Sequence, residues 1–201
     1  MKIFGSSAFW QQTFVSFGYR DFRLVWSASM IHHLGEWMEM AGLLWFVQEM
    51  TGSAFLTSLM FFLRVVPMVV LSIPAGVIAD RMSRRNLLIY SKGGTALLSV
   101  ALAVLTLTGR VEYWHLAVIS VLGSVSTSIN MPARQAVLPN IVKREHLMNA
   151  IALDSSSMMS SRLIGAPLAG LLLTHTGVTY VFGLRAISGL IAAALLIRIP
   201  R

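Results

Sequence analysis

The chain has 201 residues, of which 56% are hydrophobic and only 12% are charged. Soluble domains carry about 25% charged residues, so this composition excludes an ordinary water-soluble globule and predicts a membrane protein. The formal net charge of +8 is better explained by basic loops facing anionic lipid headgroups than by nucleic-acid binding. The absence of cysteine from the sequence excludes disulfides, thiolate metal sites and cysteine nucleophiles.

Residues 1–23 are predicted to form a cytoplasmic segment that precedes the membrane domain. They lack the continuous apolar core and the small-residue cleavage site of a signal peptide. Two interpretations of this segment stay open, an interfacial stretch or a partly ordered tail, and they concern its aromatic residues Phe9, Trp10, Phe14 and Phe17.

Six stretches of the sequence are apolar enough to cross a bilayer, which requires about 20 residues of helix. They are residues 24–47, 54–79, 87–108, 114–131, 150–174 and 178–197. Short turn-like connections join them, and no linker is long enough to separate two domains. The sequence therefore predicts an all-α polytopic membrane protein with one six-helix transmembrane bundle over residues 24–199.

The basic residues predict how this bundle is oriented. Twelve of the sixteen lysines and arginines fall on one predicted side, namely Lys2, Arg20, Arg23, Arg81, Arg84, Arg85, Lys92, Arg134, Lys143, Arg144, Arg198 and Arg201. Arg110 is the one basic residue in the predicted loops of the opposite side. Because cytoplasmic loops are enriched in lysine and arginine, both termini are predicted to be cytoplasmic.

Three arginines, Arg64, Arg162 and Arg185, fall inside the predicted spans. A charge at mid-bilayer costs about 2.5–3.5 kcal/mol, so these side chains are expected to face the bundle interior or a wet cavity. Arg64 precedes Pro67 in helix 2, and Arg162 precedes Pro167 in helix 5. These matching positions are typical of two inverted three-helix repeats, a common plan of transporters.

Helix 1 carries a polar stripe formed by His32, Glu36 and Glu39, at spacings that share one helix face. Burial favours the neutral form of a carboxylate, whereas a nearby arginine favours the charged form. Glu36 or Glu39 could therefore couple proton movement to substrate movement, or either acid could form a static ion pair with Arg64. His33 and Glu36 have metal-ligand spacing but no further ligand, so no metal site is predicted.

Other features of the sequence are explained by helix packing. Gly165, Pro167 and Gly170 in helix 5 predict close packing and a bend, and Ser120, Ser124 and Ser128 form a small-residue stripe in helix 4. The sequence has neither a phosphate-binding glycine loop with its lysine nor a Gly-x-Ser-x-Gly motif. It therefore predicts neither an enzyme nor a bound cofactor.

The sequence Gly76-x-x-Ala79-Asp80-Arg81-x-Ser83-Arg84-Arg85 resembles the signature loop between helices 2 and 3 of the major facilitator superfamily. That signature usually has glycine where this chain has Ser83. Three further segments resemble the enterobactin-exporter-like branch of the superfamily: residues 19–24, residues 132–139, and Gly165-Ala166-Pro167 with Gly170. The resemblance spans nearly the whole chain but covers only the first six helices of a twelve-helix family.

This resemblance implies a transporter of the bacterial inner membrane that works by alternating access, with a second six-helix bundle as its partner. Gly76, Asp80, Arg81, Arg84 and Arg85 would then belong to a latch that joins the two bundles on the cytoplasmic side. The implied activity is proton-coupled export of a small drug-like or siderophore-like molecule. The alternative is a non-transporting six-helix protein that acts as a partner or regulatory module, and the genomic sequence after Arg201 would distinguish the two.

Overall fold

The computed structural model describes residues 13–81 and 83–198, without the side chains of residues 72, 73, 75–81 and 84. These residues form six α-helices and no strand. The helices are α1 (Arg20–Thr51), α2 (Ala54–Arg81), α3 (Arg84–Leu107), α4 (Tyr113–Ile141), α5 (Leu147–His175) and α6 (Val178–Ile197). Short 3-10 helices at Val15–Gly18 and Arg144–His146 precede α1 and α5.

Among the described residues, four helices are long and apolar enough to cross a membrane: α2, α3, α4 and α6. The 20-residue span of α6 has a mean hydropathy of 2.0. A helix of that length rises about 30 Å, which matches the hydrocarbon core of a bilayer. Helices α1 and α5 do not meet this criterion, and they contain the polar side chains described below, including Glu36, Glu39 and Asp154.

The helices pack in a defined set of pairs. Helix α1 packs against α5 and α6, helix α3 packs against α4 and α6, and helix α2 packs against α4. Near the start of α1, Val25 and Ala28 join an apolar cluster with side chains of α3, α4 and α6. Near its end, Leu43 and Val47 join a second cluster that also includes side chains of α2. The buried polar residues of α1, which are Ser29, His32, His33 and Glu39, lie between the two apolar clusters along the helix.

Glycines permit the closest helix contacts. A Cβ atom added at Gly165 of α5 would lie 2.9 Å from the carbonyl oxygen of Leu34 and 2.9 Å from Trp37 Cβ in α1. A Cβ atom at Gly189 of α6 would lie 2.8 Å from Ala96 Cβ in α3. Small residues let membrane helices approach closely, so these positions determine how near the backbones lie.

Helix α4 is longer than the sequence predicted. The apolar window ended at residue 131, but the helix continues to Ile141 and contains Pro132 and Pro139. Proline is tolerated within membrane helices because neighbouring groups can satisfy the backbone carbonyls that it frees. The prediction that Arg134 lies in a loop after helix 4 was therefore wrong, since Arg134 is a buried residue of α4.

The described part of the N-terminal segment folds back onto the bundle. Phe17 makes edge-to-face contacts with Phe22 and Trp26 of α1, with ring centroids 5.5 and 4.9 Å apart. Tyr19 Oη lies 2.9 Å from His146 Nδ1, just before α5. Phe9 and Trp10, part of the predicted aromatic segment, lie outside the described residues.

Substitution of Gly165 tests this packing. We expect Gly165→Val to destabilise the chain by about 1–3 kcal/mol, because the added atoms would overlap α1. The matched control is Gly170→Val in the same helix, where a Cβ meets no atom within 4 Å. Thermal unfolding of both variants in detergent measures the difference, and equal melting temperatures would contradict the packing account.

Candidate functional site

A cavity of about 410 Å³ lies between α1, α2, α4 and α5. This volume falls within the range of about 300–1,000 Å³ that is typical of small-molecule sites. Most of its wall is apolar, with Trp37, Phe61 and several methionines among the lining residues. Its charged lining residues are Glu36, Arg64, Arg134 and Arg162, and His32 and His33 also contribute to the wall.

Glu39, beside this cavity, is held by side chains from three other helices. Arg185 Nε of α6 donates to Glu39 Oε2 at 2.8 Å, and Arg64 Nη1 of α2 donates to Oε1 at 3.4 Å. The hydroxyl of Ser99 in α3 also donates to Oε2, at 3.3 Å. The Arg185 side chain is only 1% exposed, and this pairing offsets the free-energy cost of burying its charge.

Arg185 also engages the first residue of the predicted polar stripe. Its Nη1 lies 3.2 Å from His32 Nδ1, and it donates to the backbone carbonyl of His32 at 3.4 Å. Since a guanidinium can only donate, the histidine nitrogen accepts this hydrogen bond. His32 and Glu39 are therefore both bound to one arginine of α6.

A second buried ionic cluster joins α4, α5 and α1. Arg134 Nε lies 3.4 Å from Asp154 Oδ2, and Arg134 Nη1 lies 3.2 Å from His33 Nε2. Lys92 of α3 is also buried, with 1% exposure. Lys92 was predicted to flank the turn between helices 2 and 3, and Arg134 to follow helix 4, but both are buried within the bundle and neither contributes to a loop. The cytoplasmic orientation stays a prediction that the other ten basic residues support.

Asp154 was not singled out from the sequence. The signal available for it was its position as the only acidic residue of helix 5, where an ionisable group is expensive without a partner. The burial of Lys92 and Arg134 was not predicted because both lie near the ends of predicted spans. Arg134 is buried against Asp154 of α5 and His33 of α1, and a hydropathy window does not represent contacts between helices.

Glu36 and Arg162 differ from these clustered residues. Glu36 is half-buried in the cavity wall and accepts a hydrogen bond from Thr127 Oγ1 at 3.4 Å. It has no ion-pair partner within 4.0 Å among the described side chains. Arg162 is exposed, and its guanidinium carbon lies 4.8 Å from the ring centroid of Trp37.

The other predicted packing residues occupy distinct surroundings. Pro67 and Pro167 lie within α2 and α5. Gly165 lies at the close contact with α1, whereas the close packing predicted at Gly170 is not found within the described part of the chain. The serine stripe is buried, comprising Ser120, Ser124 and Ser128.

Only part of the predicted latch can be located. Arg85 Nε and Nη2 donate to the carbonyl oxygens of Leu196 and Ile197 at 3.2 and 2.6 Å, so this arginine holds the end of α6. The side chains of the other latch residues lie outside the described part of the structure; these are Gly76, Asp80, Arg81 and Arg84. Within that described part, no group of three metal-ligating side chains is placed to hold an ion.

Four helices that are long and apolar enough to cross a membrane indicate the class of multi-pass membrane proteins, and this bundle contains a cavity lined by charged and aromatic side chains. The sequence profile of a family described as a transmembrane secretion effector matches residues 11–201. The chain belongs to this family of major facilitator transporters, which is a family of transporters and not of enzymes. It is accordingly a multi-pass cell-membrane protein.

Three relatives illustrate the range of the family. The chain is 29% identical to the staphyloferrin A transporter of Staphylococcus aureus over 77% of its own length and 40% of the relative. It is 23% identical to macrolide efflux protein A of Streptococcus pyogenes over 90% of the chain and 45% of the relative. It is 27% identical to the enterobactin exporter of Salmonella typhimurium over 77% of the chain and 37% of the relative. The chain thus spans about two fifths of the length of these curated relatives.

Replacement of Arg185 tests the role of the buried ion pair. We expect Arg185→Gln to lower the free energy of unfolding by about 3 kcal/mol, since Glu39 loses its shorter ion pair in a buried setting. Arg162→Gln is the matched control and should change it by less than about 0.5 kcal/mol, because that side chain is exposed. Thermal and denaturant unfolding in detergent provide the measurement, and similar losses in both variants would refute the ion-pair account.

Proposed function

We propose that this chain is the N-terminal six-helix bundle of a twelve-helix exporter that moves a small organic molecule by alternating access. The observation that carries the proposal is the cavity between α1, α2, α4 and α5, which is lined by charged side chains and has the apolar candidate spans α2 and α4 among its walls. All six helices cross the membrane in this proposal. Relatives that are named for staphyloferrin A, macrolides and enterobactin support a substrate of drug or siderophore size.

The helix pairing supports an inverted-repeat plan. Exchanging α1 with α4, α2 with α5 and α3 with α6 converts the α1–α5 contact into α4–α2. The same exchange converts α1–α6 into α4–α3 and leaves α3–α6 unchanged, and all of these pairs pack in the structure. Two three-helix repeats related by a pseudo-twofold axis in the membrane plane would produce this pattern, with the substrate site at their interface.

A second bundle would complete the cavity. Large apolar side chains of α2 and α5 are exposed on the helices that form two of its walls, including Phe61, Phe62, Met159, Leu163 and Ile164. An exposed apolar face of a membrane protein can contact either lipid or another protein. Its position on two of the helices that line the cavity supports contact with a second bundle. We propose that the partner bundle, whether part of a longer chain or of another one, covers this face.

Glu36 is the acid that we propose takes up and releases the coupling proton. Glu39 is bound to Arg185, Arg64 and Ser99, so a change in its protonation would break three contacts. Among the described residues, Glu36 is bound only through a 3.4 Å contact with Thr127, and it lies on the cavity wall with Arg64, Arg134 and Arg162. A substrate that enters the cavity would change the surroundings of Glu36 directly.

On the cytoplasmic side, we propose that Asp80, Arg81 and Arg84 form the latch to the second bundle, at the turn that follows Gly76. Arg85 holds the carbonyl end of α6 instead, so its role in the latch would be to tie the turn to its own bundle. The orientation follows from the basic residues that remain on this side.

Thiol labelling tests this orientation. The chain has no cysteine, so single cysteines at the exposed positions Ser83 and Gly109 can be labelled without background. In intact cells, an impermeant thiol reagent should label Gly109→Cys and leave Ser83→Cys unlabelled, while permeabilised cells should label both. Labelling of Ser83→Cys in intact cells would contradict the proposed orientation, because it would place this turn outside the cytoplasm.

Export by the complete transporter, with its second bundle, tests the function itself. Cells that express it should retain less enterobactin, staphyloferrin A or a macrolide than control cells. Glu36→Gln should abolish accumulation against a gradient but leave downhill exchange, because the coupling acid can no longer change charge. Glu39→Gln is the comparison variant at the neighbouring acid, and it should mainly reduce stability.

If no compound is exported, the transporter proposal fails for this group of substrates. If Glu36→Gln keeps gradient-driven export at every pH tested, Glu36 does not carry the coupling proton.

A further inference from the structure

Arg162 presents an uncommitted guanidinium to the cavity. Arg64, Arg134 and Arg185 each reach a carboxylate within 3.4 Å. Arg162 has no ion pair or hydrogen bond to another side chain among the described residues, and it lies over the Trp37 ring at 4.8 Å. An aromatic face attracts the cation but leaves the in-plane N–H donors of the guanidinium free to bind an acceptor.

The backbone around Arg162 is fixed by packing. Ser161 Oγ donates to the carbonyl oxygen of Met30 at 3.3 Å, and the close contact at Gly165 brings α5 onto Leu34 and Trp37 of α1. Arg162 and Gly165 are three residues apart and share one side of α5. The helix contact therefore places the Arg162 side chain on Trp37 before any ligand binds, which lowers the entropic cost of binding.

The ionic groups in and beside the cavity are not balanced. Three carboxylates, those of Glu36, Glu39 and Asp154, are outnumbered by four arginines, which are Arg64, Arg134, Arg162 and Arg185. Charges in a cleft with low-dielectric walls are poorly screened, so an excess of positive charge there attracts an anion. The remaining wall includes Phe61 and four methionines, which suit an aromatic or otherwise apolar body.

We infer that Arg162, positioned by Trp37, is the specificity-determining residue for a substrate that carries a carboxylate or another planar acidic group on an apolar, preferably aromatic, body. The two parallel donors of a guanidinium bind such a group bidentately, which lysine cannot do. Positively charged substrates meet the same excess of positive charge and are disfavoured. This inference rests on the proposed function because it assigns the substrate class of the same cavity.

Three probes of matched shape test the substrate class: 1-naphthoate, the neutral 1-naphthamide, and 1-naphthylmethylammonium. Their binding to the full chain in lipid nanodiscs can be measured by equilibrium dialysis. Naphthoate should bind at least about tenfold more tightly than naphthamide, since it adds charge-assisted hydrogen bonds. The ammonium probe should bind most weakly.

Variants identify the residue that produces this preference. Arg162→Gln should remove the preference for naphthoate, and Arg162→Lys should retain only part of it because the charge stays and the planar fork is lost. Arg110→Gln, which removes an exposed loop arginine, should leave the preference unchanged. Unfolding curves of each variant establish that the fold is retained.

Four results would each overturn the inference. Naphthoate and naphthamide could bind equally, the ammonium probe could bind more tightly than naphthoate, or none of the three probes could bind. The preference for naphthoate could also stay unchanged in Arg162→Gln. Export of naphthoate by the complete transporter is measured separately. If naphthoate binds selectively but is not exported, the transporter proposal is contradicted and the anion-binding site is supported. Export without an Arg162-dependent preference would contradict the inference alone.

Discussion

The pairing of Glu39 with Arg185 is the interaction on which the interior of the bundle depends. One carboxylate of α1 accepts from α6 at 2.8 Å, from α2 at 3.4 Å and from α3 at 3.3 Å. Removing charges from water costs several kcal/mol per ion, and only this geometry offsets the cost. The pair therefore fixes the mutual positions of four helices at the depth where the bundle is polar.

The apolar parts of the sequence build the frame around this pair. The clusters that contain Val25 and Leu43 lie on either side of the polar residues along α1. Gly165 lets α5 approach α1 closely, and Gly189 does the same for α6 and α3. Arg64 and Arg134 also line the cavity but are paired with Glu39 and Asp154, so among the described side chains Glu36 and Arg162 are the charged lining residues without an ion pair. The candidate site is thus defined by which charged groups the packing satisfies and which it does not.

Hydropathy was sufficient to predict the apolar helices, because each stretch of about 20 apolar residues has few alternatives to a helix in a bilayer. The cost of a charge in the membrane was also sufficient to single out Arg64, Arg162 and Arg185. Neither argument could predict that Arg185 pairs with Glu39, because the two residues are 146 positions apart along the chain and meet only through helix packing. Gly165 and Gly170 illustrate the same limit, because one sequence pattern contains both and only the observed helix contact distinguishes them.

Infrared spectroscopy can distinguish the proposed roles of Glu39, a fixed ion-pair partner, and Glu36, the acid that changes protonation. The carbonyl stretch of a protonated carboxyl group can be followed while the pH around the chain in nanodiscs is varied. We expect Glu36→Gln to remove a pH-dependent carboxyl band, and Glu39→Asp, which retains an acid for Arg185, to leave that band in place. A band that persists in Glu36→Gln and shifts in Glu39→Asp would show that Glu39 changes protonation instead, and would refute the proposed roles of both acids.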